Sequence, residues 1–452
     1  MKLSIGLREQ LAQAFVAVVT EAVAPIAEDA VSFTALETAM ETAVRQAGAA
    51  GLTQLLASAG RGYDGPTRRC ACGDQQTTDH YATSTRQTVV GPVTLRRAAY
   101  HCPTCGRHER PFDAHLAVPT GHLSPLLSAR LSLLSALLPF AEARDVLGRL
   151  TGVEVSTKTM QVVSEALGAT VEAAEQIEPN GPGAAAVPDR VYLGMDGVMY
   201  CTVERDAEGQ LVWHEAKVGV FYTARPRGAP GTGRHSRLAP DGLPIDVAEA
   251  DSQSYVVHMG GWQEFAGKVW QEGERRGWWQ AREIIVVGDG AKWITTLTEE
   301  LRGGLGARVV QILDLRHAEE HLWAVAHACL SEGERVRWVQ GPLAELRAGQ
   351  VDAVVTALGT LPTPTAEAAK LVATTVAYYT ERREQMQYPA FRAEGLQIGS
   401  GLAESACKRL VGQRAKGPGM HWTVDGAQAI STLRAAYLSQ RWDEVEHLSQ
   451  AA

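Results

Sequence analysis

The chain has 452 residues, 45% hydrophobic and 21% charged, with a formal net charge of −8. That length is long for one hydrophobic core and sets an expectation of two or three domains. The ordinary composition excludes collagen-like and broadly disordered classes, and the acidic balance means that affinity for nucleic acid must rest on local basic patches.

No stretch supplies the ~18 uninterrupted apolar residues of a membrane span. The richest run, LSLLSALLPF at 131–140, is short and follows Arg130. The N-terminal MKLSIGLREQ turns polar too early for a secretory signal, so the expectation is a cytoplasmic protein without a membrane partner. Of seven cysteines, Cys70, Cys72, Cys102 and Cys105 cluster, while Cys201, Cys329 and Cys407 are scattered. An odd total without a signal peptide argues against a disulfide framework.

Residues 1–60 have helical spacing, in two segments broken near Ala24–Pro25. Gly, Asp and Pro in RGYDGPT (61–67) end that region, and 61–118 takes on strand texture around a Gly91–Pro92 turn. CAC at 70–72 and CPTC at 102–105 sit at the two ends of this hairpin. Two cysteine pairs brought together by antiparallel strands can hold one structural zinc through four thiolates, which makes the segment a zinc-ribbon-like module. The CxC half is tighter than the usual spacing, and His80, His101 or His108 are alternative ligands. Buried or free cysteines are the plain alternative. The segment 61–110 carries eight arginines, Arg96 and Arg97 among them, against four acids, a local balance of +4. Such a stripe suits phosphate contacts or is simply a solvated strand face.

Residues 119–178 return to helices. AEARDVLGRLTG ends at Gly152, and the next segment begins STKTMQ with Ser156 as N-cap. A short helix, a Gly turn and a Ser/Thr/Lys-headed second helix have the order of a helix-turn-helix, although helical hairpins are common. PNGPGAAAVPD marks a linker at 179–189.

From 190 to 318 the order is three successive strands, helix, strand, helix, strand, a mixed α/β arrangement. A Gly/Pro/Arg-rich loop, 225–243, separates the second strand from the third. Residues 319–394 read as helical, and so does most of 395–452.

Asp196 sits inside the apolar run VYLGMDGVMY, and Asp289 ends EIIVVGDG. A lone carboxylate in an apolar strand is costly unless a positive partner compensates it. If the two strands are neighbours, both acids face one another. Asp196 could instead serve a turn beside Gly197, Asp289 could cap the following helix, and Glu404 could be one half of an exposed pair with Lys408. With Glu404 as a third ligand, two Mg2+ ions (or Mn2+) about 3.5–4 Å apart would neutralise the three acids and flank a phosphodiester.

The segments YLGMDG, VVGDGAKWI, DLRHAEEHLW and GSGLAESACKRLVGQRAKGPGMHW, in that order, resemble the core motifs of ISKra-type bacterial insertion-sequence transposases and, more distantly, Mutator-like transposases. The resemblance covers roughly 68–445 and implies an RNase H-like DDE core over 190–318. It further implies a helical insertion at 319–394 and C-terminal core helices at 395–452 carrying the last acid. It makes Asp196, Asp289 and Glu404 the metal-binding catalytic triad. Asp314 and His317 match its D-x-x-H signature, with DNA contact as the implied role, and Lys408, Arg409, Arg414 and Lys416 are placed to hold substrate phosphate. The implied partners are double-stranded DNA, both transposon terminal repeats and target, and further copies of the chain in a homo-oligomer. The protein would then be nucleoid-associated when DNA-bound. The implied reaction is Mg2+-dependent strand cleavage followed by 3′-OH strand transfer. A nuclease of the same fold that only hydrolyses, lacking strand transfer, is one rival reading, and two others remain. One is a non-catalytic DNA-binding regulator derived from a transposase. The other is a zinc peptidase built on HAEEH (317–321), with His317, Glu320 and His321 as its functional groups.

Overall fold

The computed structural model describes residues 5–25, 31–119, 121–177, 188–226 and 248–451. Most of the expected 179–189 linker and of the 225–243 loop lies outside the described residues. The chain divides into two compact units, residues 1–170 with 442–452, and residues 171–441.

In the first unit, α1 (Ile5–Val23) and α2 (Phe33–Ser58) form a helical pair broken where the sequence predicts. Ser32 starts α2 by accepting the Ala35 N–H. A four-stranded antiparallel sheet follows, β1 (Thr67–Arg69), β2 (Gln75–Thr88), β3 (Gly91–His101) and β4 (His108–Glu109), in spatial order 1-2-3-4. The turn that joins β2 to β3 is Val89–Val90, two residues earlier than expected, and Gly91 and Pro92 open β3, paired with Thr88 and Gln87. After α3 (Pro111–His115) come α4 (Pro125–Leu137), α5 (Phe140–Thr151) and α6 (Thr157–Ile177), the last of which ends in the second unit. Leu127, Leu131, Ala143, Leu147, Val153 and Met160 make one small core beneath α4, α5 and the start of α6. Ser156 caps α6 by accepting the Thr159 N–H at 3.0 Å.

The second unit is built on β5 (Arg190–Arg205), β6 (Leu211–Pro226) and β7 (Ala248–Met259), α7 (Trp262–Arg275), β8 (Glu283–Gly288), α8 (Lys292–Gly304) and β9 (Arg308–Leu313). Their spatial order is β7-β6-β5-β8-β9. β5, β6 and β7 are antiparallel, whereas β8 and β9 run parallel to β5. Alternation along β5 assigns its two faces. Val191, Leu193 and Met195 join Phe265, Val269, Ile294, Leu297 and Trp278 in the core under α7 and α8. Tyr192, Gly194 and Asp196 point to the opposite face.

Helices α9 (Leu315–Cys329), α10 (Glu332–Arg347), α11 (Val351–Gly359), α12 (Ala366–Glu381) and α13 (Tyr388–Ala393) follow as one helical block. The predicted helix over 395–422 is shorter than expected. Residues 395–400 are non-helical, and α14 (Gly401–Cys407) passes through a π-turn, Lys408–Gly412, into α15 (Gln413–Ala415). The π-turn is supported from α16 (Val424–Leu438), where buried Arg434 donates through Nε to the Arg409 carbonyl at 2.9 Å. α17 (Trp442–Ala451) belongs to the first unit and packs on α4, with Ser449 Oγ donating to the Pro125 carbonyl at 3.3 Å. Among the described residues no helix is long and apolar enough to cross a membrane.

Gly194 sets how closely α14 approaches the sheet. A Cβ there would lie 3.1 Å from Val220 Cγ1 and 3.3 Å from Ala403 Cβ. Replacing Gly194 by valine therefore overpacks this contact and is expected to cost about 1–3 kcal/mol in urea denaturation. Gly267→Ala, in α7 with nothing within 4 Å of its Cβ position, is the control and should gain about 0.5–1 kcal/mol.

Candidate active site and metal centre

Two knuckles in the first unit bring the four clustered cysteines together. Cys70 accepts the Gly73 N–H at 3.0 Å through its carbonyl, and Cys102 accepts that of Gly106 at 2.9 Å. Gly73 (φ +98°) and Gly106 (φ +70°) adopt the left-handed backbone that these tight turns require. Cys70 Sγ lies 3.6 Å from Cys105 Sγ, and Cys72 Sγ lies 3.6 Å from Cys102 Sγ. All four sulfurs fall within 4.8 Å of one another. A tetrahedral zinc with Zn–S bonds near 2.3 Å places its sulfurs about 3.8 Å apart, so the cluster could hold that ion with no histidine needed. The CxC half thus completes the set because Gly73 closes the turn that its short spacing leaves to the next residues. The Cys72 backbone N–H, aimed at the Cys70 sulfur, draws that thiol down to about 7. His101 and His108 instead stack on one another, ring centres 4.5 Å apart.

In the second unit the pairing of β5 with β8 places two acids side by side. Met195 pairs with Gly288 in parallel register, so Asp196 and Asp289 are the next residues on adjacent strands. Gly197 N–H donates to Asp196 Oδ1 at 2.7 Å, and Ala291 N–H donates to Asp289 Oδ1 at 2.8 Å. Asp289 thus shapes the entry to α8 as well as facing Asp196. Glu404 arrives from above on α14, one residue after the Ala403 that rests on Gly194. Burial, then the charge of Asp289, and further the charge of Glu404, push the Asp196 carboxyl up to about 6. The Gly197 N–H and the Cys407 thiol, which donates to Asp196, oppose that rise. The three carboxylates share one electrostatic neighbourhood but are not closed around a single point. Among the described residues only the four cysteines form a group of ligand atoms all within 4.8 Å.

Asp314 has a placement that its motif did not suggest. It is 2% exposed and caps α9, with Oδ1 accepting the His317 N–H at 2.7 Å and Oδ2 accepting the Ser400 N–H. Its own N–H donates to the Gly288 carbonyl at 2.8 Å. Both oxygens are engaged by backbone, so the side chain is a positioning group linking the first turn of α9 to the head of α14, while its backbone N–H ties it to the end of β8. Ser400 Oγ in turn reaches Glu404 Oε1 at 3.5 Å.

The basic residues separate into buried and accessible sets. Arg414 is 1% exposed, its guanidinium over the Trp422 ring at 5.0 Å, and Arg97 is 2% exposed and paired with Asp113 at 2.5 Å. Lys408, Lys416 and Arg96 are exposed and Arg409 is half-buried. Arg409 Nη1 donates to the Tyr255 hydroxyl at 2.8 Å. Arg96 and Arg61 both lie over the exposed Tyr81 ring, at 5.2 and 5.6 Å. Two other acids that precede Glu404 in the chain, Glu394 and Glu384, are placed elsewhere. Glu394 binds Arg308 at 2.6 Å, at the opposite end of the strands from Asp289, and Glu384 is exposed.

His317 is half-exposed, and its ring meets that of His321 edge to face at 5.0 Å. His321 stacks on Tyr378 at 4.2 Å, and burial, with the positive charges of His317 and Arg382, pushes it down to about 4. His317, Glu320 and His321 do not assemble as a metal-ligating group. Sequence reasoning missed Tyr378, whose hydroxyl donates to the Asp289 carbonyl at 2.8 Å, and Arg382, which donates to the Gly290 carbonyl at 2.9 Å. It also missed Cys407, although its place three residues after Glu404 puts both on one helical flank.

No family model and no curated protein matches the chain. Among solved structures it is similar to the Drosophila P element transposase strand transfer complex, at 8% identity over 74% of this chain and 83% of that one. The TM-score is 0.24, too low for any inference to rest on it.

The cysteine cluster predicts about one zinc per chain by elemental analysis of protein purified without added metal. Cys102→Ser should lower that content to near zero and destabilise the β2–β3 module. Protein that is zinc-free yet melts at the same temperature as the loaded form would remove the metal centre.

Proposed function

We propose that the chain is a DDE transposase of an insertion sequence, similar to the ISKra type, in which an RNase H-like core cleaves and joins DNA strands with two Mg2+ or Mn2+ ions. The observation that carries this reading is the register of β5 against β8, which sets Asp196 beside Asp289, combined with the α14–Gly194 contact that delivers Glu404 to the same end of the sheet. The strand order, three antiparallel and two parallel around a central β5, supports the RNase H-like assignment.

The donor set fits hard divalent cations: three carboxylates, no competing soft ligand beyond the Asp196-bound Cys407 thiol, and a mutual repulsion that adds to burial in raising Asp196. When bound, such ions would supply charge neutralisation and Lewis-acid activation of the attacking and leaving oxygens of a phosphodiester. The chain's own groups do the rest. Asp196 and Asp289 are held rigidly by strand pairing and by backbone N–H donors, so the acceptors are oriented before substrate arrives. Glu404 is tethered through Ser400 to Asp314. Exposed Lys408 and Lys416 flank Glu404 and offer ammonium groups to DNA phosphates. The cysteine module, with its Arg61–Tyr81–Arg96 surface, and the α4–α6 helices would recognise the terminal repeats, the cysteines holding a structural zinc. Two ends must be held at once, so the working form would be a homo-oligomer.

Asp196→Asn, Asp289→Asn and Glu404→Gln are each expected to reduce Mn2+- or Mg2+-dependent plasmid nicking by about a thousandfold or more, while DNA affinity stays within about twofold. Nicking at the wild-type rate by both aspartate variants would overturn the reading, and by Glu404→Gln alone would move the third ligand elsewhere. A second test uses pH. With its carboxyl raised to about 6 in the folded state, Asp196 favours the metal-free fold below the ordinary carboxylate range, and that contribution is lost as pH rises through 6. Mg2+ should therefore raise the melting temperature at pH 8 far more than at pH 5, and Asp196→Asn should erase the difference.

A further inference from the structure

A cleft of about 710 Å³ opens at the outer edge of β7, within the second unit and away from the three acids. Its walls include Ser252, Ser254 and Tyr255 of β7, Arg276 at the end of α7, and Arg409 of the π-turn. Among the described residues β7 is the end strand of the sheet, with no neighbouring strand on this side. Successive side chains of a strand point to opposite faces, and the cleft therefore wraps around the edge: Ser252 and Ser254 look toward α7, and Tyr255 looks toward the face that carries Asp196.

The charges lining it are unequally used. Glu272 neutralises Arg275 at 3.5 Å and Arg441 at 3.6 Å, and Glu175 adds to Arg441 at 3.7 Å. Arg276 is engaged by the Ser252 hydroxyl at 2.6 Å and carbonyl at 3.4 Å, and Arg409 by the Tyr255 hydroxyl at 2.8 Å. Among the described residues these two guanidiniums meet neutral oxygens and no carboxylate within 4.0 Å. Burial lowers the Arg276 pKa, with Glu272 only partly offsetting it, as expected for a desolvated cation short of anionic company. One further group stands out. Ser254 is 5% exposed, and its hydroxyl is buried without a hydrogen-bond partner among the described residues. A buried hydroxyl left unpaired costs free energy that a bound acceptor would recover.

We infer that this edge cleft is a phosphate-binding subsite, in which Arg276 and Arg409 supply the charge and Ser254 donates its orphan hydroxyl to a phosphate oxygen. The planar guanidinium fork suits tetrahedral oxyanions, and exposed Lys408 directly precedes Arg409 in the chain. Under the strand-transfer reading, on which only the source of the phosphate rests, the ligand is a backbone phosphodiester of bound DNA several nucleotides from the reacting bond.

The test measures binding of a fluorescent 30-base-pair duplex to the full chain, without divalent metal, across a salt series. Alongside it, the melting temperature is followed with inorganic pyrophosphate as probe. Arg276→Gln should weaken duplex binding about tenfold at low salt and reduce the slope of log affinity against log salt by about 1. Ser254→Ala should weaken binding about threefold with the slope unchanged, because a hydroxyl displaces no counterion. Arg276→Lys should keep the slope and lose part of the affinity, and with Ser254→Ala it carries the test if Arg276→Gln does not fold. Wild-type duplex affinity and slope in all three variants, with pyrophosphate stabilising each as it does the wild type, would overturn the subsite. If the wild type fails to bind duplex but is stabilised by pyrophosphate in an Arg276-dependent way, the phosphate subsite stands with a free phosphate compound as its ligand, and the DNA reading falls.

Discussion

The carboxylate of Asp314 is the constraint on which the arrangement of the second unit's acids depends. It is buried, and burying a charge is tolerable only when hydrogen bonds replace its lost water. Here the replacements come from two separate places in the sequence: the first turn of α9 and the Ser400 N–H at the head of α14. The Asp314 backbone N–H adds a third tie, to the last residue of β8. One residue therefore links the strand that leads into Asp289, through its backbone N–H, to the helix that presents Glu404, through its carboxylate, across some ninety residues of intervening helices. Removing the carboxylate would leave the His317 and Ser400 N–H groups unpaired and loosen the head of α14 from α9.

That fastening works against electrostatics. Asp196, Asp289 and Glu404 repel one another, and burial first, then the charge of Asp289 and further that of Glu404, lift the Asp196 carboxyl toward 6. Nothing in local strand or helix propensity favours gathering them. The gathering follows from parallel pairing of β5 with β8 and from the bare backbone of Gly194, which lets α14 settle against the sheet. The strain of convergence is held by apolar packing on the other face of the same strand, where Leu193 and Met195 lie in the core under α7 and α8.

Much of this was legible in the sequence. The strands over 190–315 and the helices between them stand close to where apolar runs and turn residues put them, because buried central strands are nearly continuous in Val, Ile and Leu. The cysteine pairs were readable from spacing alone, while the turn that makes CxC workable depends on Gly73, just beyond the motif. Asp314 and Arg414 show what pattern cannot supply. Both are charged residues in motifs suggestive of ligand contact, and both are buried and engaged by the protein itself. Charge says that a residue needs a partner; only the fold says whether that partner is inside. Tyr378 and Arg382 gave no signal because they approach Asp289 and Gly290 from a helix about ninety positions away.

The π-turn between α14 and α15 has a consequence for how this stretch tolerates change. A π-turn is one residue more than an α-helix would use, and each residue of helix turns its successors by about 100°. Arg434 satisfies the carbonyl that the wider turn releases at Arg409, and the rotation seats Arg414 against Trp422, which is itself bonded to the end of β5. Chain length through 408–412 is thus under tighter control than side-chain identity. Excision of a single residue would preserve almost all of the local chemistry and still swing Arg414 out of its seat, so homologues of this chain should vary in letters here long before they vary in spacing.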